Sequence, residues 1–377
     1  MLRKIVLLTL LLMVVITPAA AQTDDWQVWF YDGTALQVLT ADGLAEPIAL
    51  PDGVGQVEPY HGLGFMALSP DSSRLVFSRA SSGVAGSNPV STLEIADLAN
   101  DTCCIVVAHP LTGDPDTVIV GPFSPDGTQV VVIFAQVYSL TPQSIVAVVD
   151  VASGDIVQQA DTMATFGDMG LLFDGWDADG VKVATTCLAC GGRLDGWMSN
   201  WDPVTGAITP DVQYFNLMGD KLEATGEYVI PVRNEDLPAS NENGMFPPSN
   251  AVEYLPDASQ QTSALIYHDP VHIEIGNVNW VMDGQAYLIT EWYGTAVVVQ
   301  RDGTALSVET DEAQSFISST PDGWLMQNYN TQVVSYYQVR NGQIGVTTWD
   351  NFPTRVVVLN EFVSADAEFP MPVPVVK

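Results

Sequence analysis

Between residues 68 and 362 the chain alternates short apolar runs with tight polar turns, at intervals too short for helices. In "FSPDGTQVVVIF" (123–134) a Ser-Pro-Asp-Gly turn feeds a run of β-branched residues. Such a run bounded by turn residues reads as a buried strand. The same unit recurs as "LSPDSSRLVFS" (68–78), "WDADGVKVATT" (176–186), "WVMDGQAYLIT" (280–290) and "STPDGWLMQNY" (319–329). A degenerate copy, "EATGEYVIPV" (223–232), carries Thr225 where the others carry Asp. No helical period is convincing anywhere after the first 21 residues.

The marker positions 71, 126, 179, 225, 283 and 322 are 55, 53, 46, 58 and 39 residues apart. A strand-rich repeat of roughly 40–50 residues points to propeller blades. A second set of turns agrees: "LANDT" (98–102), "VASGD" (151–155), "DPVTG" (202–206), "RDGTA" (301–305) and "RNGQI" (340–344). Gly, Asn and Asp supply the positive φ that hairpins need. Each unit is therefore expected to hold four antiparallel strands, a to d. The first segment, "QVWFYDGTALQVLTADG" (27–43), reads as strands c and d without a and b. The run "TRVVVLNEF" (354–362) is expected to supply an inner strand to that same blade. The expected fold is an all-β β-propeller of seven four-stranded blades, its ring closed by N- and C-terminal strands so that no sheet edge stays open. Six blades is the alternative.

Composition changes this picture at the N-terminus. Arg3 and Lys4 precede an apolar stretch from Ile5 to Thr17, followed by Ala19-Ala20-Ala21. This is the pattern of a secretory signal peptide, cleaved before Gln22. The stretch is short for a membrane span of about 20 residues, and no later run is long enough for one. The expected organisation is a signal peptide over 1–21, a propeller domain over 22–366 and a C-terminal tail over 367–377. The expected location is extracytoplasmic, periplasmic or secreted, as a monomer. The whole chain has 12 Lys and Arg against 45 Asp and Glu, a net charge of −33. So few basic residues argue against nucleic acid, whose phosphates need a basic footprint, and against an anionic membrane surface. A well-solvated acidic surface is the expected reason for the charge, with calcium or a cationic partner as the alternatives.

The Ser-Pro-Asp-Gly turn followed by a strand resembles the WD40-like repeats of the TolB-type propeller family. It also resembles the propeller halves of prolyl-oligopeptidase-type enzymes. The likeness runs over most of residues 26–362, as short motifs. It implies the fold and, for TolB-type relatives, protein binding in the cell envelope. It transfers no binding residue, because only the turn matches, and propellers host many unrelated activities. In this reading Asp126, Asp179, Asp283 and Asp322 bond nearby backbone N–H groups, and Gly127, Gly180, Gly284 and Gly323 make the turns.

Strand order also picks out a face. Consecutive antiparallel strands put a–b and c–d turns on one side of the disc, and b–c loops and d–a links on the other. The long segments mostly follow strand b: 79–91, 135–144, 187–200 and 233–250. That side is the expected binding face, with Tyr138, Trp197, Trp201, Arg233, Trp292 and Tyr293 as its candidate anchors. Packing between blades is the competing role for each aromatic.

Signs of catalysis are few. There is no G-x-S-x-G elbow, and no length for a hydrolase domain beside the propeller. Asp174, Asp177 and Asp179 in "DGWDADG" form an oxygen-rich cluster of the kind calcium takes, without an EF-hand's full spacing or distal Glu. His268 and His272 flank Pro270, and on a strand they would stand about 13 Å apart, too far to share one zinc. Export permits disulfides. Cys187 and Cys190 can close a local loop, whereas a bond between adjacent Cys103 and Cys104 competes with free thiols or other pairings. The expected function is an exported, non-catalytic propeller that binds a protein or other envelope component and needs no cofactor. The alternative is a secreted enzyme or lectin acting on carbohydrate or a small molecule, with calcium.

Overall fold

A computed structural model describes the protein between Gln27 and Val358. Residues 1–26 and 359–377 lie outside the description, as do 32–34, 41, 55–65, 82–89, 137–142, 167–169, 187–194, 217–218, 223–224, 233–248, 257–263, 269–274, 292–295, 309, 311–313, 329 and 351–356.

Seven antiparallel sheets stand in a ring, one per blade. Blade 3 is representative. Its strands a (Thr117–Phe123), b (Gln129–Gln136), c (Gln143–Asp150) and d (Ile156–Asp161) pair in simple succession. Blades 2 and 4 to 7 repeat this order. The first strands of neighbouring blades lie side by side around the centre, as Met66–Leu68, Thr117–Phe123 and Gly170–Asp177 do.

The opening stretch shows why its run is continuously apolar instead of alternating. Side chains on a strand point to opposite faces in turn, and here both faces are buried. Val130, Val132 and Phe134 enter the core shared with blade 2, through Leu93, Ile95 and Val107. Val131, Ile133 and Ala135 enter the core shared with blade 4, through Phe173, Val183 and Trp201. One strand thus serves two interfaces. Shared cores of the same kind join blades 1 and 2, 5 and 6, and 6 and 7, and Val28, Phe30 and Leu39 of blade 1 pack on Ile317, Leu325 and Tyr336 of blade 7, which closes the ring.

Blade 1 draws on both ends of the chain, with Val357–Val358 pairing antiparallel to Gln27–Tyr31. The expected phase of this blade is corrected by one strand. Gln27–Tyr31 is b and Ala35–Thr40 is c, because the C-terminal pair occupies position a. Strand d is made of two short pieces, Gly43–Leu44 and Ile48–Ala49, each paired to c. Such short pieces carry little apolar signal, which is why the sequence reads as if d were the second long run. One helical turn, Thr162–Phe166, stands in the link from blade 3 to blade 4. Asp161 accepts a bond from the Ala164 backbone N–H at its start (2.7 Å), an N-cap too short to leave a period.

Candidate binding face

The a–b turns repeat one device. Asp126 accepts bonds from the Thr128 backbone N–H (3.1 Å), the Thr128 hydroxyl (2.8 Å) and the Ser124 hydroxyl (2.7 Å). Gly127 supplies the positive φ of 72°. Asp71 repeats this with Ser69 and Ser73. Bonds from the Ser69 hydroxyl and from Ser73 hold the Asp71 carboxyl down at about 2, since such bonds favour the charged form. Thr225 does the same work in the degenerate copy, its hydroxyl accepting from the Glu227 N–H (3.4 Å). Thr225 therefore keeps an acceptor for the backbone N–H but loses the charge and the two hydroxyl bonds that Asp126 takes.

Two of the expected turn roles need correction. At the 178–179 turn the acceptor is Asp177, which takes the Asp179 N–H (2.9 Å), while Asp179 itself sits exposed at the tip. Gly284 makes its turn as expected, at a φ of 73°, with Met282 and Asp283 also at positive φ, 58° and 50°. Asp322 bonds side chains, accepting from the Tyr336 hydroxyl and the Gln338 amide. Its neighbour Gly323 is required for space, because a Cβ there would lie 2.0 Å from the Tyr337 carbonyl oxygen.

The c–d turns on the same side use the same chemistry. Asp150 accepts from the backbone of Ala152 and Ser153, Asp202 from Val204, and Asp302 from Thr304. Apart from the eight-residue c–d segment of blade 5, 256–263, the connections on this side are short, and Asp126, Asp150, Asp202 and Asp302 bond to their own backbone.

The other side carries the b–c segments. Between strand ends these span 82–89, 137–142, 187–194 and 233–250, and the pairing of b with c in each blade assigns them all to one side. Tyr138 and Arg233 fall in these segments, as do Cys187 and Cys190, while Trp292 and Tyr293 fall in the shorter b–c segment 292–295 of blade 6, and all six lie outside the described residues. Trp197 lies on strand c of blade 4, its backbone opposite Tyr214. Trp201 is not a surface anchor. It is fully buried, near the opposite end of that strand, and its ring meets Phe166 edge-on at 6.0 Å. Trp201 closes the core between blades 3 and 4, the competing role named for it.

Of the three clustered acids, Asp177 is engaged with Lys182 at 3.0 Å. Burial pushes its carboxyl up, but the Lys182 ammonium and the N–H groups of Asp179 and Gly180 outweigh this and hold it below the ordinary value. The Asp174 side chain lies outside the description. His268 is held through Nδ1 by the Asn250 carbonyl at 3.0 Å. Among the described residues one set of three metal-type ligands converges: Glu94, Cys103 and Cys104. Cys103 and Cys104 are joined as a vicinal disulfide. The sequence left that pairing open, and nothing in it tied Glu94 to the pair.

A second cluster that the sequence did not reveal ties blade 5 to blade 6. Arg301 forks onto Glu227 (3.0 and 2.6 Å) and lies 4.9 Å above the Trp280 ring. Tyr254 donates its hydroxyl to the same carboxylate. The Arg301 bond holds the Glu227 carboxyl at about 2, against the upward push of burial.

No family model and no curated protein sequence matches the chain. Solved structures with a similar course include a 6-phosphogluconolactonase-like protein of Bacteroides uniformis. It is 10% identical over 89% of this chain and 100% of its own, with a TM-score of 0.49. An oligogalacturonate lyase in complex with manganese is 14% identical, over 88% of this chain and 87% of its own, at 0.46. The acylaminoacyl peptidase of Pyrococcus horikoshii is 11% identical over 82% of this chain, at 0.43, and the match covers 47% of the peptidase, about half its length. None of these likenesses bears on what the chain binds. The topology by itself defines the class: a seven-bladed β-propeller.

Proposed function

We propose that the chain is an exported, non-catalytic propeller of the TolB type, binding a protein or another component of the cell envelope through the face that carries its b–c segments. One observation carries the reading, the asymmetry of the two faces. On the turn side Asp71, Asp126, Asp150, Asp202 and Asp302 are each bonded to backbone within a few residues. The b–c side receives the longest inter-strand segments, 233–250 above all. Loops on a rigid scaffold are where recognition concentrates. Export is supported by the leader pattern of Arg3, Lys4 and the apolar stretch after them. Among the described residues, no helix is long and apolar enough to cross a membrane.

The test is thermal unfolding of the purified protein with calcium, with chelator, and against a panel of oligosaccharides. A ligand bound only by the folded state stabilises by about 2.7 kcal/mol at about 100 times its Kd. The proposal expects a flat melt across the panel. Stabilisation by an oligosaccharide would favour the enzyme or lectin reading. A calcium shift abolished by Asp177→Ala would add a metal to the account.

A further inference from the structure

The pairing of strands c (Val90–Asp97) and d (Thr102–Val107) in blade 2 slips by one residue. Ile95 faces Ile105 and Asp97 faces Thr102, so the single Ala96 is opposed by both Cys103 and Cys104. A bulge of two residues against one bends the strand and re-aims its side chains, a device common next to functional sites. Here both sulfurs pack on the core between blades 1 and 2, beside Ala96, Tyr31 and Val54.

Glu94 precedes Ala96 by two residues and shares its sheet face. The residue is buried, at 8% exposure. Arg79 holds it through Nε to Oε1 (2.7 Å) and Nη2 to Oε2 (3.0 Å), and the Thr92 hydroxyl reaches Oε1 (3.1 Å). Arg79 Nη2 also donates to the carbonyls of Gly53 (3.0 Å) and Val54 (2.6 Å). That backbone runs directly past the sulfurs, since a Cβ on Gly53 would sit 3.6 Å from Cys103 Sγ. One ligand atom from each of Glu94, Cys103 and Cys104 lies within 4.8 Å of the others.

We propose that Cys103, Cys104 and Glu94 form a redox-gated site for a thiophilic divalent cation of the zinc class. The site is closed while the two sulfurs are bonded to each other and opens when they are reduced. Two thiolates and a carboxylate suit such a cation, and three protein ligands leave a fourth position for water. The charges balance: two thiolates and one carboxylate face a divalent cation and the Arg79 guanidinium. Arg79 takes the outer role common at metal sites, a hydrogen bond that orients a ligand. Among the described residues Glu94 Oε2 accepts only from Arg79, which leaves it a lone pair for the metal. Opening is a two-electron step. With a phosphine reductant the S–S bond breaks and phosphorus is oxidised to the phosphine oxide with oxygen from water. The two sulfurs take the protons, and the cation then displaces them.

The experiment uses protein carrying Cys187→Ser and Cys190→Ser, which removes the other cysteine pair. Oxidised and phosphine-reduced samples, freed of reductant, are titrated with Co2+ and then Zn2+. Thiolate-to-cobalt charge-transfer absorption and competition with a chromophoric chelator are the readouts. The reduced protein is expected to take one equivalent with that absorption, and the oxidised protein none. Glu94→Gln is expected to weaken the reduced site at least about tenfold. Zinc-edge X-ray absorption of the reduced protein with Glu94 intact is expected to show two sulfur ligands with the rest oxygen, which tests the ligand set even if Glu94→Gln misfolds. Equal uptake in both redox states, no uptake after reduction, or uptake retained in Cys103→Ser/Cys104→Ser overturns the proposal.

Discussion

Gly180 and Gly206 both have positive φ, 128° and 72°, yet they should respond differently to a methyl group. A Cβ at Gly180 would meet the Trp201 carbonyl oxygen at 2.6 Å, whereas one at Gly206 would meet nothing within 4 Å. Gly206→Ala is expected to cost about 1 kcal/mol, the strain of a left-handed residue. Gly180→Ala adds a backbone clash and is expected to cost about 3 kcal/mol or more. Chemical denaturation of the two variants checks the order, and equal costs would mean that the blade 4 hairpin yields freely. Glu227 makes a pH prediction. Its pKa is lowered from 4.5 to about 2 by the Arg301 bond, against burial. A depressed carboxyl contributes stability that is fully present above its unfolded value and is lost as pH falls through the folded one. The chain should therefore lose this contribution between about pH 4.5 and 2, and Glu227→Gln should flatten that part of the stability curve. An unchanged curve in the variant would remove Glu227 from the account.

At the scale of elements, closure of the ring rests on a short strand. Val357–Val358 covers the edge of Gln27–Tyr31, which would otherwise offer unpaired backbone groups. Ending the chain at residue 366 is expected to leave the melting temperature unchanged, whereas ending it at 353 should lower it by several degrees and promote self-association. Melting curves and light scattering on the two truncations decide this, and equal melts would show that the C-terminal pairing contributes nothing. The blade pattern was legible because each a–b turn is a local event: Asp126 binds Thr128, two residues away. The same locality let Thr225 pass as a stand-in. The phase of blade 1 was not legible, because its strand a lies more than 300 residues from b along the chain. Strand Gln129–Gln136 was readable as buried, but no local signal tells that its odd and even residues serve different blades. The acceptor role of Asp177 was missed for a related reason. In the two-residue hairpin 178–179 the carboxylate before the turn reaches its N–H, while the motif alone points to Asp179.

At the scale of the molecule, the two sides of the disc differ in what they have left to offer. On the turn side Asp126, Asp150, Asp202 and Asp302 are committed to their own backbone. The candidate anchors Tyr138, Arg233 and Trp292 belong by sequence to the other side, and Trp201 is lost to the core. The Glu94–Cys103–Cys104 cluster was invisible in the sequence because Glu94 meets the cysteines only across a strand pairing with a bulge. A photo-reactive residue at 138, 233 or 292, compared with one at 100, 153 or 303, separates the faces directly. Each variant is irradiated with a cell-envelope fraction and its adducts are identified. The account predicts one recurring partner from the first three positions and no adduct from the last three. Adducts of that partner from the turn positions, or from neither set, would contradict it.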